Sequence, residues 1–234
     1  MIFPDRNSVR KQIKICGNRF PEDAWRVAAY EPDFMGWIFS PRSPRRIPVD
    51  LARRLMRAIR GSHPRIQHVG VFAGNAVPEI RALLRSAPDL DFLQIVDGPG
   101  FVAALERDRS PLITGRVRVV SPILPPILPV VRVRHALRDG DLTAWYGDRP
   151  FYLMDSYVPG RPGGTGQRFA PELVAGLRRP FLLAGGLNAE NVGEAIRATG
   201  ALGADVSSGI EFPGAPGRKD PALLARFVAA VRAG

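Results

Sequence analysis

The chain of 234 residues has the length of one large domain or two small ones, and its 45% hydrophobic and 24% charged residues set aside disordered and fibrous proteins. A formal net charge of +11 would suggest a nucleic acid or an anionic membrane as partner. The positive charges, however, are almost all arginines scattered through every predicted helix, with no aromatic platform among them. We therefore expect no nucleic-acid and no membrane partner, while attraction of an anionic metabolite stays open.

The single cysteine, Cys16, excludes an internal disulfide framework and a four-cysteine metal site. Residues 1–12 are polar and lack the apolar core of a secretory signal, and no apolar run approaches the ~20 residues that span a bilayer. We expect a cytoplasmic protein in which residues 1–12 are an N-terminal extension and residues 13–234 form a single domain. Monomer and homodimer both stay open, because helix faces that pack on a sheet and on a partner have the same pattern.

Short apolar segments alternate with amphipathic ones along residues 13–234, without a linker between them. The last amphipathic segment, 221–232, has apolar residues at the i, i+3, i+4, i+7 spacing of a helix. Eight βα units with right-handed crossovers close into a (β/α)₈ TIM barrel, which is the α/β fold that we predict. The eight predicted strands are 13–16, 34–39, 68–72, 92–96, 116–120, 151–155, 181–184 and 205–206.

The segment 121–149 has the least regular pattern of apolar residues, so its secondary structure is the hardest to predict. Four prolines within 121–133 oppose both a regular helix and a central strand. We expect a helix only after Pro129, over 130–137, with Gly140 as its stop signal.

Two predicted strands end in glycine turns within about thirty residues of each other. Gly185 and Gly186 follow the strand 181–184, and Gly209 closes the turn after 205–206. Asn188 is the predicted N-cap of the helix between the two strands. Free backbone N–H groups in two such turns can point at one anion, and glycine lets that anion approach closely. We expect a phosphate there; ordinary tight turns are the alternative.

Eight short motifs lie in order at the ends of the predicted strands, and together they are hard to obtain by chance. The motifs are KICG at 14–17, SPRSPR at 40–45, VGVF at 69–72, LQ at 93–94, LMDS at 153–156, GGTG at 163–166, LAGGLN at 183–188 and DVSSGIE at 205–211. On these motifs the chain resembles the phosphoribosylanthranilate isomerases, (β/α)₈ enzymes of tryptophan biosynthesis, from about Lys14 to Arg232.

The resemblance implies an Amadori rearrangement of an N-linked ribose phosphate of anthranilate, with Cys16 as general base and Asp155 as general acid. The acid would protonate the furanose ring oxygen, and the base would take the proton from C2. A free thiol is mostly protonated and a free carboxyl mostly ionised at neutral pH, so each starts in the wrong form. We expect burial to raise the pKa of Asp155, and a positive charge such as Lys14 to lower the pKa of the thiol.

The resemblance also implies how the substrate is held. A guanidinium in the SPR segment would bind the anthranilate carboxylate through two parallel hydrogen bonds, and the GGTG segment would fold over the substrate. The substrate-binding residues implied in this way are Lys14, Arg45, Gln94, Gly164 and Thr165, with Gly185, Gly186, Asn188, Ser208 and Gly209 for the phosphate.

The chain departs from the family where the fourth strand ends. The family reads QLHG there, whereas this chain has Val96 in the histidine position and Asp97 as a candidate to face the site instead. Two other functions therefore stay open: a related aminosugar-phosphate isomerase of a specialised pathway, and a non-catalytic protein that binds a phosphate metabolite. We expect no metal, because the three histidines lack ligand spacing, and no organic cofactor, because the proton transfers need none.

Overall fold

The structure is a computed structural model that describes residues 10–86, 89–108, 112–114, 117–119, 124–149, 151–156 and 171–234. The strands are β1 (Gln12–Cys16), β2 (Phe34–Ile38), β3 (Gln67–Phe72), β4 (Phe92–Ile95), β5 (Leu112–Thr114), β6 (Val117–Val119), β7 (Ile127–Val133), β8 (Tyr152–Ser156), β9 (Phe181–Ala184) and β10 (Gly203–Val206). The helices are α1 (Pro21–Ala28), α2 (Val49–Ser62), α3 (Val77–Ser86), α4 (Pro99–Arg107), α5 (Asp139–Tyr146), α6 (Val192–Thr199) and α7 (Pro221–Ala233).

Eight strands pair in parallel as a closed barrel, in the order β1-β10-β9-β8-β7-β4-β3-β2. This confirms the predicted (β/α)₈ barrel. A parallel strand is covered on both faces, so its residues are apolar throughout rather than alternating; all four residues of β9 are buried, for example. Among the described residues, no helix is long and apolar enough to cross a membrane.

Two compact units make up the chain. The first unit contains Met1–Cys16 and Val130–Gly234, and the second contains Gly17–Pro129. In the first unit, β1 pairs with β10, β10 with β9, β9 with β8, and β8 with the part of β7 after Pro129. In the second, β2, β3, β4 and the beginning of β7 pair in sequence. A single domain over residues 13–234 stays a prediction.

The fifth barrel strand is not where the sequence predicted it. Residues 116–120 were expected in the barrel, but β6 lies in that range and pairs antiparallel with β5 in a separate two-stranded sheet. The barrel strand is β7, so the predicted helix over 130–137 is wrong. Every residue of β7 except Arg132 is buried. Burial of this valine-rich run outweighs the prolines that precede it, because β-branched side chains suit a strand covered on both faces.

The helix after β7 begins later than predicted. It starts at Asp139, and Gly140 lies in its first turn instead of stopping it. A carboxylate oxygen of Asp141 accepts a hydrogen bond from the backbone N–H of Arg138 at 2.8 Å and fixes this start. The turn-forming pair at 139–140 therefore marks the beginning of α5 and not the end of an earlier helix.

A buried imidazole lies in the core of the second unit. His68 on β3 is fully buried, and its Nδ1 accepts a hydrogen bond from Nε1 of Trp37 at 3.2 Å. Its backbone N–H donates to a carboxylate oxygen of Asp91 at 2.7 Å. Burial, reinforced by the nearby Arg60 guanidinium, lowers the pKa of His68 to about 4. The neutral imidazole is thus the form that the folded chain retains.

This burial predicts a pH-dependent stability. The folded pKa of His68 is about 4 and the unfolded one about 6.5, so the unfolded chain takes up a proton first as the pH falls. The stability that neutral His68 contributes is present above about pH 6.5 and is lost as the pH falls from there towards 4, by up to roughly 3 kcal/mol.

The measurement is the free energy of unfolding in urea across that pH range, compared with His68→Gln. Glutamine retains an acceptor for Trp37 but does not titrate, so the variant should lose less stability over the same interval. Equal slopes in both proteins would show that other groups cause the acid sensitivity.

Candidate active site

Four polar side chains meet at the carboxyl ends of three strands of the first unit. Lys14 and Cys16 lie on β1, Asp205 on β10 and Asp155 on β8. The register pairs Lys14 with Asp205, and it pairs Asp155 with Ala184 on the strand between β8 and β10. Directly paired residues of neighbouring strands project to the same side of a sheet. The structure thus brings the predicted base and acid to the same end of this unit.

An ion pair links two of these strands. Nζ of Lys14 lies 2.8 Å from Oδ1 of Asp205, and the lysine side chain is fully buried. Burial alone would lower the pKa of Lys14, but the Asp205 carboxylate and the Cys16 sulfur together raise it. Burial raises the pKa of Asp205, and Lys14 opposes that change. The two charges stabilise each other where neither would be stable alone.

The Cys16 thiol is buried, with 5% of its surface exposed. Burial raises its pKa above the ordinary value, and the negative charge of Asp205 adds to this change. Lys14, which also hydrogen-bonds the sulfur, and Lys219 lower the pKa but do not reverse the effect. We expected a net lowering of the thiol pKa, and the structure gives a net increase. The resting form of Cys16 is therefore the thiol, with an ammonium beside it that favours the thiolate.

The Asp155 carboxyl has the shift that its burial predicts. Burial raises its pKa to about 6, and the neighbouring charge of Asp205 adds to the increase. Arg132, in register with Asp155 on β7, opposes it. A carboxyl with a pKa of about 6 is protonated in about a tenth of the molecules at pH 7, against about a thousandth for a free carboxyl, which supports a role as general acid.

The glycine turns after β9 and β10 are in direct contact. Gly185 and Gly186 have φ values of 88° and 64°, a region that favours glycine. A Cβ atom on Gly209 would lie 2.0 Å from the carbonyl oxygen of Leu187, so no side chain fits there. In the part of the chain that the structure describes, the N–H groups of Gly186, Ser208 and Gly209 donate no hydrogen bond. Such groups are free to bind an anion.

Two further residues shape this region. Oδ1 of Asn188 accepts hydrogen bonds from the backbone N–H groups of Glu190 and Asn191, both at 3.1 Å. Asn188 therefore caps the turn before α6, and the N-cap of the helix itself is Asn191. The hydroxyl of Ser207 is buried and has no hydrogen-bond partner among the described residues. No sequence pattern indicated Ser207 as a site residue, although it directly precedes Ser208.

The remaining predicted residues lie in the second unit or outside the described residues. Arg45, in the loop after β2, is half-buried, and its backbone N–H donates to the hydroxyl of Ser43 at 3.2 Å. Gln94 on β4 is buried, and its side-chain oxygen has no partner among the described residues. A buried amide oxygen of this kind suits a ligand donor. Gly164 and Thr165 lie outside the described residues.

Asp97, the candidate to face the site in place of the histidine, is bound by the loop after β3. Its two carboxylate oxygens accept the backbone N–H of Gly74 at 2.9 and 3.1 Å, which anchors the loop after β3. Whether this carboxylate takes the place of the family's histidine beside Val96 stays a prediction.

Three charged residues that act on the pKa of Cys16 or Asp155 were not predicted from the sequence: Asp205, Lys219 and Arg132. The scarcity of lysine in the chain could have indicated Lys219. The chain has 33 lysines and arginines, of which only three are lysines, and two of those three, Lys14 and Lys219, are fully buried. A compact ammonium fits an enclosed site that a guanidinium does not. Arg132 was missed because β7 was not predicted.

Comparison with known proteins identifies relatives over nearly the whole chain. The family described as "N-(5'phosphoribosyl)anthranilate (PRA) isomerase" matches residues 128–230. A relative from Syntrophomonas wolfei with the name N-(5'-phosphoribosyl)anthranilate isomerase is 38% identical over 222 residues, which cover 93% of this chain and 95% of the relative. One of the same name from Neisseria gonorrhoeae is 34% identical over 219 residues, with the same coverage.

The fold has solved counterparts as well. The crystal structure of phosphoribosyl anthranilate isomerase from Thermotoga maritima matches with a TM-score of 0.74 and 26% identity, over 96% of this chain and all of the other. Among the residues that the structure describes, no group of three histidine, cysteine or acidic side chains could hold a metal ion.

The contact of Gly209 with Leu187 predicts a steric effect at the turn. In Gly209→Ala the new methyl group must displace backbone, which we expect to lower the free energy of unfolding by about 3 kcal/mol or to distort the turn. Affinity for ribose 5-phosphate should fall in either case. Both are measured by urea unfolding and by calorimetric titration.

Gly140→Ala is the matched control. It lies in the same unit, and a Cβ there meets nothing within 4 Å. Stability should stay unchanged or rise by up to about 1 kcal/mol, with unchanged ligand affinity. If Gly209→Ala behaved like this control, the tight contact between the two turns would not exist in solution.

Proposed function

The chain belongs to the N-(5'-phosphoribosyl)anthranilate isomerase family, and we propose that it converts N-(5'-phosphoribosyl)anthranilate to 1-(2-carboxyphenylamino)-1-deoxyribulose 5-phosphate in tryptophan biosynthesis. The observation that carries this proposal is the meeting of Cys16 and Asp155 in the unit that also holds both glycine turns. A thiol, a carboxyl of raised pKa and free backbone N–H groups are the parts that an Amadori rearrangement of a sugar phosphate requires.

Asp155 begins the reaction as the general acid. Its proton passes to the furanose ring oxygen, the bond between that oxygen and C1 breaks, and the nitrogen lone pair forms an iminium with C1. The ring oxygen becomes the C4 hydroxyl. The carboxyl is suited to this step because its pKa of about 6 keeps it partly protonated near neutral pH.

Cys16 completes the reaction as the general base. Its thiolate takes the proton from C2, and the electrons of that bond form the C1–C2 double bond of an enolamine while the iminium is neutralised. Tautomerisation then gives the amino-ketose. The ammonium of Lys14 beside the sulfur stabilises the thiolate, so Lys14 supports the base as well as lining the site. No atom is gained or lost, and the sequence of proton transfers needs no cofactor.

The substrate has two anionic groups, the ribose phosphate and the anthranilate carboxylate, and we propose different residues to bind each. The N–H groups of Gly185, Gly186, Ser208 and Gly209 suit the phosphate, and the amide group of Asn188 and the hydroxyl of Ser207 lie in the same turns. Arg45 is proposed to bind the anthranilate carboxylate and Gln94 to donate or accept a further hydrogen bond. The loop of Gly164 and Thr165 is proposed to cover the bound substrate.

We also propose a cytoplasmic enzyme without a nucleic-acid partner. The single cysteine and the scattered arginines support this. One relative of known structure, from Thermotoga maritima, is described as dimeric; a monomer and a homodimer are both compatible with the proposed reaction.

The direct test is turnover of freshly made phosphoribosylanthranilate, followed by the loss of its anthranilate-type fluorescence. Wild type should consume it rapidly, while Cys16→Ser and Asp155→Asn should each be slower by roughly 10²- to 10⁴-fold. Ribose 5-phosphate should still bind both variants. Binding of this ligand without turnover by wild type would instead favour a substrate with another amine, in line with Val96 in the family's histidine position.

The two pKa values predict an unusual pH profile. Activity needs Asp155 protonated and Cys16 ionised, although the pKa of the acid lies below that of the base. The reactive form is therefore a minority, and kcat/KM should rise with pH through about 6, remain level, and fall only through the alkaline pKa of the thiol.

The control is the affinity for ribose 5-phosphate across the same pH range, because the second ionisation of a phosphate monoester also lies near 6. An affinity that stays nearly constant assigns the rising limb to Asp155. If affinity changed in parallel with kcat/KM, the limb would belong to the substrate phosphate.

A further inference from the structure

A fully buried lysine lies beneath the proposed site. Nζ of Lys219 lies 2.7 Å from the backbone oxygen of Cys16, 3.2 Å from the backbone oxygen of Ser207 and 3.0 Å from Oε1 of Glu211. The lysine side chain has no exposed surface, and that of Glu211 has 4%. A charge this deep is retained only where its partners are well placed.

The geometry of the ammonium group suits its three acceptors. A lysine ammonium has three N–H donors on one atom, and here three oxygens, one from the end of β1 and two from the 207–211 segment, lie within 3.2 Å of it. An arginine would present a planar fork of five donors in the same space. In a chain that otherwise uses arginine almost throughout, this accounts for a lysine at 219.

The three acceptors belong to parts of the site with different tasks. Cys16 ends β1 and carries the thiol, while Ser207 begins the turn that leads to Ser208 and Gly209. Glu211 and Lys219 also face each other across an antiparallel bridge, which ties the 211–219 segment to the same point. One ammonium therefore joins the strand end of the base to the turn that suits the phosphate.

We propose that Lys219 is a positioning residue that holds the Cys16 strand end and the Ser207 turn at a fixed separation. This inference rests on the proposed function, in which the thiol must reach C2 of a sugar whose phosphate is held in that turn. Because both are bound to one atom, movement of either changes the position of the reacting carbon relative to the sulfur. Misplacement of about 1 Å at a reacting centre can cost on the order of 10²-fold in rate.

The positive charge of Lys219 has a second effect on the thiol. The charged groups that act on Cys16 are Lys14 on its own strand, Asp205 on β10, and Lys219. Lys219 lowers the pKa of Cys16, as Lys14 does, and Asp205 raises it. Removal of the Lys219 charge should therefore decrease the fraction of thiolate at any given pH.

The test is the double variant K219M/E211Q, which removes the cation without leaving an unpaired buried carboxylate. The thiol pKa is read from the ultraviolet absorbance of the thiolate against Cys16→Ser, since Cys16 is the single cysteine. We expect about tenfold less thiolate at a given pH below the thiol pKa, and about tenfold weaker binding of ribose 5-phosphate. The value of kcat/KM should fall by about 10²-fold.

Arg81→Met is the matched control. Arg81 is a buried cation of the second unit whose guanidinium donates to the backbone oxygens of Leu105 and Asp108. Its loss should lower stability and leave the thiol pKa and the affinity for ribose 5-phosphate unchanged. A folded K219M/E211Q with wild-type values of both would overturn the proposal, because a merely structural lysine would behave like Arg81.

Glu211→Gln is a milder variant for the case in which the double variant does not fold. The amide oxygen of this variant can still accept a hydrogen bond from Lys219. The lysine charge then lacks its counter-ion, so the pKa of the Cys16 thiol should fall. An unchanged or higher thiol pKa contradicts the proposal. These readouts need no turnover. If wild type failed to convert phosphoribosylanthranilate while thiol pKa and ribose 5-phosphate affinity still responded as expected, the proposed reaction would be wrong and the positioning role would stand.

Discussion

The ion pair between Lys14 and Asp205 connects the chemistry of the first unit to its sheet. It lies between β1 and β10, where the register pairs the two residues directly, so strand pairing and charge pairing support each other. The same two charges act on both proposed catalytic groups: Asp205 helps to raise the pKa of Asp155, and Lys14 acts on Cys16. A slip of β1 by one residue would turn Lys14 and Cys16 to the other face of the sheet and separate them from Asp205 and Asp155.

Two buried lysines, Lys14 and Lys219, lower the pKa of the Cys16 thiol from different positions. Lys14 approaches the sulfur from its own strand, whereas Lys219 binds the backbone oxygen of the same residue. Each is paired with a buried carboxylate, Asp205 or Glu211. The two ammonium groups near Cys16 are therefore held in place by these carboxylates. In the proposed reaction they are not the groups that bind the substrate phosphate. Pairing with carboxylates also limits how far these lysines can lower the pKa of the thiol, which remains raised overall.

Sequence reasoning succeeded where local pattern and buried environment agree. The strand 181–184 was predicted to the residue, because a continuous apolar run between turn signals is typical of a parallel strand. It failed at 116–120 and 130–137, because the prolines before β7 carried more weight than the burial that only the assembled barrel supplies. The role of Lys219 depends on a contact across 203 residues, and no periodicity or spacing indicates such a contact.

The close contact at Gly209 also bears on how substrate preference could diverge. Since no side chain fits at that point, the proposed contact of residue 209 with the phosphate is made by its main-chain N–H group, which every residue type except proline supplies. Substitutions elsewhere can then alter the amine end of the ligand while its phosphate end remains recognised. Val96 directly follows β4, in the second unit, and does not lie in either glycine turn. In the proposed function, the phosphate is therefore the part of the ligand whose recognition depends least on side-chain identity.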